Sequence, residues 1–204
     1  MFRKHRMILI PVVFFMLWSA PLRPSDEAPG QMLGGSADSP VRIEVFSDFQ
    51  CSACREFYLN TIRPVLQDYS SKDKVCVIYH EYPLTIHRYS REAARYSEAA
   101  SRLGLPKLLM VMDAIFTDQA LWAQDGKLDI SVSKALSRED MMKLKKIMQD
   151  SSIDLAVERE IQLGNKVEVK STPTILISYI GKQTKVEGAV IYPAMKQFLD
   201  SIVK

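Results

Sequence analysis

Cysteine is scarce in this chain, which has three cysteines among 204 residues. A small domain held together by disulfides would carry more of them, usually in an even number. The chain is also long enough to bury a core of its own, since 47% of its residues are hydrophobic and 25% are charged. Cys51 and Cys54, which are three residues apart, are therefore expected to have a role other than stabilising the fold as a structural disulfide.

Acidic residues are absent before Asp26, whereas Arg3, Lys4 and Arg6 open the chain. These three basic residues account for the formal net charge of +3, because residues after position 20 include 24 basic and 24 acidic side chains. The basic excess is confined to the terminus, and no basic patch is interleaved with aromatic residues. The sequence therefore predicts no nucleic-acid partner.

The N-terminal apolar run is too short to cross a bilayer comfortably. Met7–Ala20 has 14 residues and follows a basic segment, as in a secretory signal peptide. Its cleavage site is poor, because Trp18 stands where a small residue is expected. Residues 1–20 are therefore predicted to be either a signal peptide or an anchor in the inner membrane through residues 7–20. Either implies export to the periplasm or cell envelope.

The rest of the chain is organised as one α/β domain. Residues 21–40 hold four prolines and three glycines and predict a flexible linker to a domain over residues 41–204. The segments VRIEVFS and KVCVIYHEY predict two parallel strands joined by a helix that follows the cysteines. Apolar residues at helical spacing predict a helical block over about residues 86–166. TPTILISYI and TKVEG then predict a hairpin around Gly181–Lys182, before a last helix.

The position of the cysteine pair favours redox chemistry. Cys51 falls where the first strand gives way to the helix, so free N–H groups and the helix dipole favour its thiolate. Cys54 follows on the same helix face, and this i,i+3 spacing of roughly 5–6 Å suits a disulfide. A bridge that encloses two residues constrains almost nothing in the unfolded chain. The pair is therefore predicted to be a redox-active disulfide.

The remaining candidate ligands do not predict a metal site. Cys76 stands between two valines in a predicted strand and is expected to be buried and inert. His80 and His87 are expected to be surface or packing residues. A zinc site would need a second pair of ligands beside the cysteines. We therefore predict no metal and no cofactor.

A second distinctive stretch is KSTPTILI, in which Pro173 precedes an apolar strand. Proline cannot donate to a sheet, so it belongs at a strand start or on an edge. Pro173 is therefore either an ordinary trans proline that begins the strand or a cis proline that faces the cysteine pair.

Together these motifs resemble the thioredoxin superfamily. The FSDFQC lead-in, the EYPLTIH stretch and the helical block are similar to exported DsbA-like proteins over roughly residues 40–204. The resemblance implies an α/β thioredoxin fold, β-α-β and β-β-α with an inserted all-helical subdomain, and dithiol–disulfide exchange. It also implies that Cys51 attacks, Cys54 resolves and Pro173 is the cis proline. The other expected members of the site are their neighbours: Asp48, Ser52, Ala53 and Thr172.

The chain departs from its DsbA-like relatives in two places. Many relatives carry a buried acid six residues before the first cysteine, as a proton relay for the resolving thiol. Here that position is Val45, and Glu44 is expected on the other side of the strand. Asp48 either takes over the relay or caps the turn. The dipeptide Ser52–Ala53 lacks the histidine of strongly oxidising relatives, so the oxidising strength is left open.

The leading functional prediction is a monomeric enzyme that introduces disulfides into exported, cysteine-containing proteins. A membrane redox partner would reoxidise, or in the opposite direction reduce, its cysteine pair. The alternative within the same chemistry is a disulfide reductase or isomerase. Two hypotheses from other classes are a metal-binding thioredoxin-like module and a tethered binding protein with idle cysteines.

Overall fold

A computed structural model of the protein describes residues 30–203. The predicted export segment, residues 1–20, and residues 21–29 of the predicted linker lie outside this range. Within it, no helix combines the length and the hydropathy needed to cross a membrane.

Five strands form a single mixed sheet in the order β1-β3-β2-β4-β5. The central pair β2 and β3 is parallel, and the other neighbouring pairs are antiparallel. The predicted β-α-β and β-β-α halves are confirmed, with β2 in the middle of the sheet. The strands are β1 (Gln31–Gly34), β2 (Val41–Ser47), β3 (Val75–Glu81), β4 (Thr174–Tyr179) and β5 (Lys182–Glu187).

The helices between β3 and β4 occupy the segment predicted as a helical block. They are α3 (Ser90–Ser101), α4 (Leu105–Thr117), α5 (Gln119–Asp125), α6 (Leu128–Ala135), α7 (Arg138–Ile147) and α8 (Ser152–Lys166). The helices of the two halves of the sheet are α1 (Ser52–Phe57), α2 (Arg63–Asp68) and α9 (Tyr192–Ile202). Because β2 is the central strand and α1 follows it directly, the start of α1 lies at the C-terminal end of β2, in the middle of the row of strand ends.

The helix after the cysteines bends at a π-helical turn, Tyr58–Ile62, between α1 and α2. Pro64 lies in the first turn of α2. Proline has no N–H to donate, and its ring clashes with the carbonyl one turn earlier. The wider turn just before Pro64 accommodates both effects, so the helix bends there.

The folded part begins earlier than the predicted boundary at Val41. Gln31–Gly34 form β1 and pair antiparallel with β3, so the prediction of a linker over residues 21–40 is wrong for this stretch. The strand buries Leu33 and covers the edge of β3 that would otherwise be open. Four residues beside Gly34–Gly35 are too short a run for a periodic pattern to show.

The hairpin turn also differs by one residue from the prediction. Ile180 and Gly181 form the turn between β4 and β5, and both have positive φ, 45° and 68°. Positive φ at both central residues matches the twist of the flanking strands. Lys182 therefore belongs to β5 and not to the turn.

A fully buried histidine joins β2, β3 and α8. His80 Nδ1 lies 2.6 Å from Glu160 Oε2, and its Nε2 lies 3.3 Å from Glu44 Oε1. The ring stacks on Phe46 at 4.4 Å between centroids, which confirms a packing role. Burial alone would lower the pKa of His80, but the hydrogen bonds to both carboxylates outweigh it and raise that pKa.

We expect His80→Gln to lower the free energy of unfolding by about 3 kcal/mol, because removing one partner leaves buried carboxylates uncompensated. Since the folded-state pKa is raised, the stabilisation from His80 is complete below about pH 6.5 and is lost as the pH rises through the folded-state pKa. Urea unfolding across that range should show a stability decline in the wild type that the variant lacks. Identical pH profiles for the two proteins would contradict this assignment.

Candidate active site

Cys51 is the N-cap residue of α1. Its backbone is extended, with φ −75° and ψ 123°, and its carbonyl accepts the Arg55 N–H at 3.1 Å. The side chain is half-buried, and the backbone N–H groups of Ala53 and Cys54 point at its sulfur. The strand-to-helix junction therefore places the sulfur where the helix terminus favours a negative charge.

The two thiols of the pair differ strongly in acidity. A hydrogen bond from the Cys54 thiol, against the opposing effect of burial and with further help from Thr172 and the helix N–H groups, lowers the pKa of Cys51 to about 5. Burial first, and then the neighbouring Cys51, raise the pKa of Cys54 well above its ordinary value. Cys51 is thus a thiolate at neutral pH, while Cys54 stays a protonated, fully buried thiol.

The Thr172–Pro173 peptide bond is cis, which confirms the second of the two alternatives for this proline. The Thr172 carbonyl oxygen lies 3.5 Å from the Cys51 sulfur and accepts a hydrogen bond from it when the thiol is protonated. Pro173 is followed directly by β4, whose first residue Thr174 lies opposite Phe46 of β2. The sheet therefore brings the Thr172 backbone beside a sulfur 121 residues away in sequence.

Asp48 holds the turn between β2 and α1. Its carboxylate accepts hydrogen bonds from the backbone N–H groups of Gln50 at 2.6 Å and Leu84 at 2.7 Å. His87 Nδ1 lies 2.8 Å from the same carboxylate. These three contacts occupy both oxygens, which favours the turn-capping alternative for Asp48 over the proton relay.

Ser52 and Ala53, the dipeptide between the cysteines, are both exposed. They leave the half-buried Cys51 sulfur open on the surface at the start of α1. The predicted site residues therefore come together, with Cys54 beneath, Thr172 and Pro173 beside, and Ser52 and Ala53 outside.

Two further residues complete this arrangement and were missed in the sequence. Gln119 of α5 donates through Nε2 to the carbonyls of Phe49, at 2.7 Å, and Cys51, at 3.0 Å. His87 contacts Asp48 and was expected only as a surface or packing residue. The EYPLTIH motif marks the neighbourhood of His87, but no pattern marks Gln119, which reaches Cys51 across 68 residues.

The third cysteine lies away from the pair. Cys76 is 2% exposed and lies opposite Arg42, near the end of β2 that is remote from Cys51. Burial raises the pKa of its thiol. Among residues 30–203, no three His, Cys, Asp or Glu side chains form a cluster that could hold a metal ion.

We expect Cys76→Ala to keep wild-type rates of disulfide exchange within about twofold and to lose about 1 kcal/mol of stability, as small core truncations do. Exchange with a small aromatic disulfide and urea unfolding measure the two effects. A folded variant that no longer turns over would show that a third thiol takes part.

The comparisons with known proteins agree with this geometry. A family model described as thioredoxin matches residues 27–201. The chain is 24% identical over 148 residues to the probable disulfide bond formation protein D of Bacillus cereus, covering 71% of this chain and 68% of that protein. It is also 24% identical over 158 residues to disulfide bond formation protein D of Bacillus subtilis, covering 73% and 68%.

Solved structures share the fold at low sequence identity. The crystal structure of alpha-DsbA1 from Wolbachia pipientis matches with a TM-score of 0.70 at 18% identity, over 86% of this chain and 91% of that one. Oxidised BdbD from Bacillus subtilis matches with a TM-score of 0.67 at 21% identity, over 84% and 95%.

Proposed function

The chain belongs to the thioredoxin family, and we propose that it is a dithiol–disulfide oxidoreductase that introduces disulfides into exported proteins. The observation that carries the proposal is the asymmetry of the pair, in which the pKa of Cys51 is about 5 and that of Cys54 is raised well above its ordinary value. The relatives from Bacillus, which are named disulfide bond formation protein D, support the same direction.

The reaction transfers a disulfide in two exchange steps. A substrate thiolate attacks the Cys51 sulfur of the Cys51–Cys54 disulfide, the S–S bond breaks, and Cys54 leaves and takes up a proton. A second substrate thiolate then attacks the substrate sulfur of the mixed disulfide, and Cys51 leaves as a thiolate. Two electrons pass from the substrate dithiol to the enzyme pair, and the substrate gains one disulfide.

The low pKa of Cys51 sets the direction. Thiols of low pKa are good leaving groups, so Cys51 departs readily from the mixed disulfide. A stabilised thiolate also stabilises the reduced form of the enzyme, which makes its disulfide the stronger oxidant. Without a histidine between the cysteines, this effect comes from the Cys54 thiol, Thr172 and the helix N–H groups.

The surface around Cys51 suits an extended peptide. The Thr172 backbone lies against the Cys51 sulfur, with the Thr172 carbonyl 3.5 Å away. An extended chain laid along this backbone would bring its cysteine to the sulfur by main-chain pairing, without requiring a particular sequence. The exposed Ser52 and Ala53 leave the approach open.

The cellular setting belongs to the same proposal. The protein acts as a monomer in the periplasm or cell envelope, delivered by residues 1–20, which either are removed or remain as an anchor. A membrane redox partner withdraws the two electrons and restores the Cys51–Cys54 disulfide. The basic start and the apolar run Met7–Ala20 support export.

The test is the redox state of the pair in intact cells, trapped by acid and then alkylated. We expect most of the protein to carry the Cys51–Cys54 disulfide, because an oxidase is kept oxidised by its partner. The Cys51→Ser, Cys54→Ser double variant marks the position of a protein without the pair. A pool found mostly as dithiol would overturn the proposed direction in favour of a reductase or isomerase.

A further inference from the structure

A buried carboxyl group on the sheet near the cysteine pair has no hydrogen-bond partner within the part of the chain that the structure describes. Glu81, the last residue of β3, is 1% exposed, and neither of its carboxylate oxygens is hydrogen-bonded within residues 30–203. The hydroxyl of Tyr79, two residues earlier, is likewise buried and unpaired within that range. Burying polar groups without partners costs stability, so their retention points to a use.

These groups lie on the side of the sheet that carries Cys54. Residues two apart on a strand share a face, and Tyr79 belongs to the same buried cluster as Cys54, so Glu81 projects from that side of the sheet as well. Ser47 lies directly opposite Glu81 in the pairing of β2 with β3. Burial is the main cause that raises the pKa of both Cys54 and Tyr79; the Ser47 hydroxyl opposes that rise in both, and the charges of Glu81 and Cys54 add to it for Tyr79. Asp48, the residue after Ser47, donates its backbone N–H to the Cys54 sulfur at 3.5 Å, so Glu81 pairs with the residue that adjoins this contact.

Cys54 needs a proton acceptor, since only a thiolate attacks a disulfide. Val45 occupies the position at which many relatives have an acid, and it is buried in the core. Asp48 has both oxygens engaged by Gln50, Leu84 and His87. Among residues 30–203, Glu81 is therefore the buried carboxyl group that is free to take the proton.

The surroundings of Glu81 suit that task. Burial is the main cause that raises the pKa of Glu81 well above its ordinary value, and this moves it toward the pH at which a base is effective. The negative charges of Glu98, Glu160 and Asp48 act in the same direction. The nearby Ser97 hydroxyl, which donates its hydrogen bond to Gln31 and not to Glu81, opposes them. The groups that face Glu81 thus come from α3, α8 and the turn after β2, in addition to Tyr79 on its own strand.

We propose that Glu81 accepts the proton of Cys54, through Tyr79 and Ser47, when Cys54 closes the disulfide. The proposal rests on the proposed function, because closure is the step in which the partner reoxidises the pair. Cys51 first forms a mixed disulfide with the oxidant. The Cys54 sulfur then attacks Cys51, its proton passes to Glu81, the bond to the oxidant breaks, and the oxidant sulfur leaves as a thiolate. Glu81 acts through other groups and touches neither sulfur.

Stopped-flow reaction with 5,5′-dithiobis(2-nitrobenzoate) separates the two steps. Cys51 of the reduced protein releases the first aromatic thiolate, and attack by Cys54 on the mixed disulfide releases the second. We expect Glu81→Gln to leave the first phase within about twofold and to slow the second at least tenfold near neutral pH, a modest share of what proton transfer contributes. The second phase of the variant should also lose the titration that the wild type shows. Glu81→Asp, which keeps the carboxyl group, should recover that titration.

Glu98→Gln is the matched control, because it removes another carboxyl group that faces Glu81 without touching the path to Cys54. It should leave the rates of both phases near neutral pH close to those of the wild type, and it should move the titration of the second phase to lower pH without abolishing it, because the Glu98 charge raises the pKa of Glu81. If Glu81→Gln does not fold, Tyr79→Phe decides the question, because it breaks the same path and should slow the second phase alone. A second phase that keeps its rate and pH profile in the folded variant, or a first phase slowed equally, overturns the proposal. A wild-type protein without a first phase would instead refute the proposed function.

Discussion

Iodoacetamide is expected to alkylate Cys51 of the reduced protein about tenfold faster at about pH 6 than it alkylates an ordinary exposed thiol. With a pKa of about 5, about nine-tenths of Cys51 is thiolate at that pH, against about one part in a thousand for a thiol of pKa near 9. The lower basicity makes each thiolate about 60-fold less nucleophilic, since reactivity follows basicity with an exponent of 0.4–0.5. The larger thiolate fraction of Cys51 outweighs the lower nucleophilicity of its thiolate, which leaves the expected advantage of about tenfold.

Cys54 and Cys76 should react far more slowly than Cys51, because both are buried and both have raised pKa values. Mass spectrometry of the labelled peptides identifies the modified residue, and the rate of Cys51 labelling plotted against pH should rise through about pH 5 and then level off. Cys51→Ser is the matched control and should remove the fast phase. Equal labelling of Cys51 and Cys54 would contradict the assignment of Cys51 as the attacking cysteine.

Replacement of Cys54 with alanine should convert the enzyme into a trap for its substrates. Cys51 would still attack a disulfide, but Cys54, the thiol of the same protein that resolves the mixed disulfide, would be absent. Cys76 cannot substitute, because it lies near the other end of β2. We expect turnover to fall about 100-fold or more, on the scale of removing a reacting group, and mixed disulfides to accumulate.

Non-reducing gels of cells that express Cys54→Ala should show these adducts as bands that vanish on reduction. Cys76→Ala provides the matched control, since it removes a buried cysteine of the same size and should give no adducts. The double variant Cys51→Ser, Cys54→Ala should also give none, because the attacking sulfur is absent. Adducts that persist in this double variant, or are missing from Cys54→Ala, would contradict the division of roles between the two cysteines.

The sequence by itself determined the order of the elements and the chemistry of the pair. Both depend on local rules: periodicity distinguishes β2 and β3 from the helices, and a cysteine at a strand-to-helix junction meets free N–H groups whatever surrounds it. The spacing of Cys51 and Cys54 is also local, because an i,i+3 pair shares one helix face in any fold. These features needed no knowledge of which distant segments touch.

The tertiary structure alone decided which distant residues surround the sulfur atoms. Gln119 reaches Cys51 across 68 residues, and no local pattern encodes that contact; the Thr172 contact, across 121 residues, was expected only through the family resemblance. Likewise β1 was missed because a four-residue strand is stabilised by pairing with β3 and not by its own periodicity. The pattern of the KVCVIYHEY segment does not mark Glu81 as buried, and only packing by α3 and α8 makes it a buried carboxyl group. Burial and long-range hydrogen bonds are properties of the packed chain, so they emerge only when the sheet and the helical block are assembled.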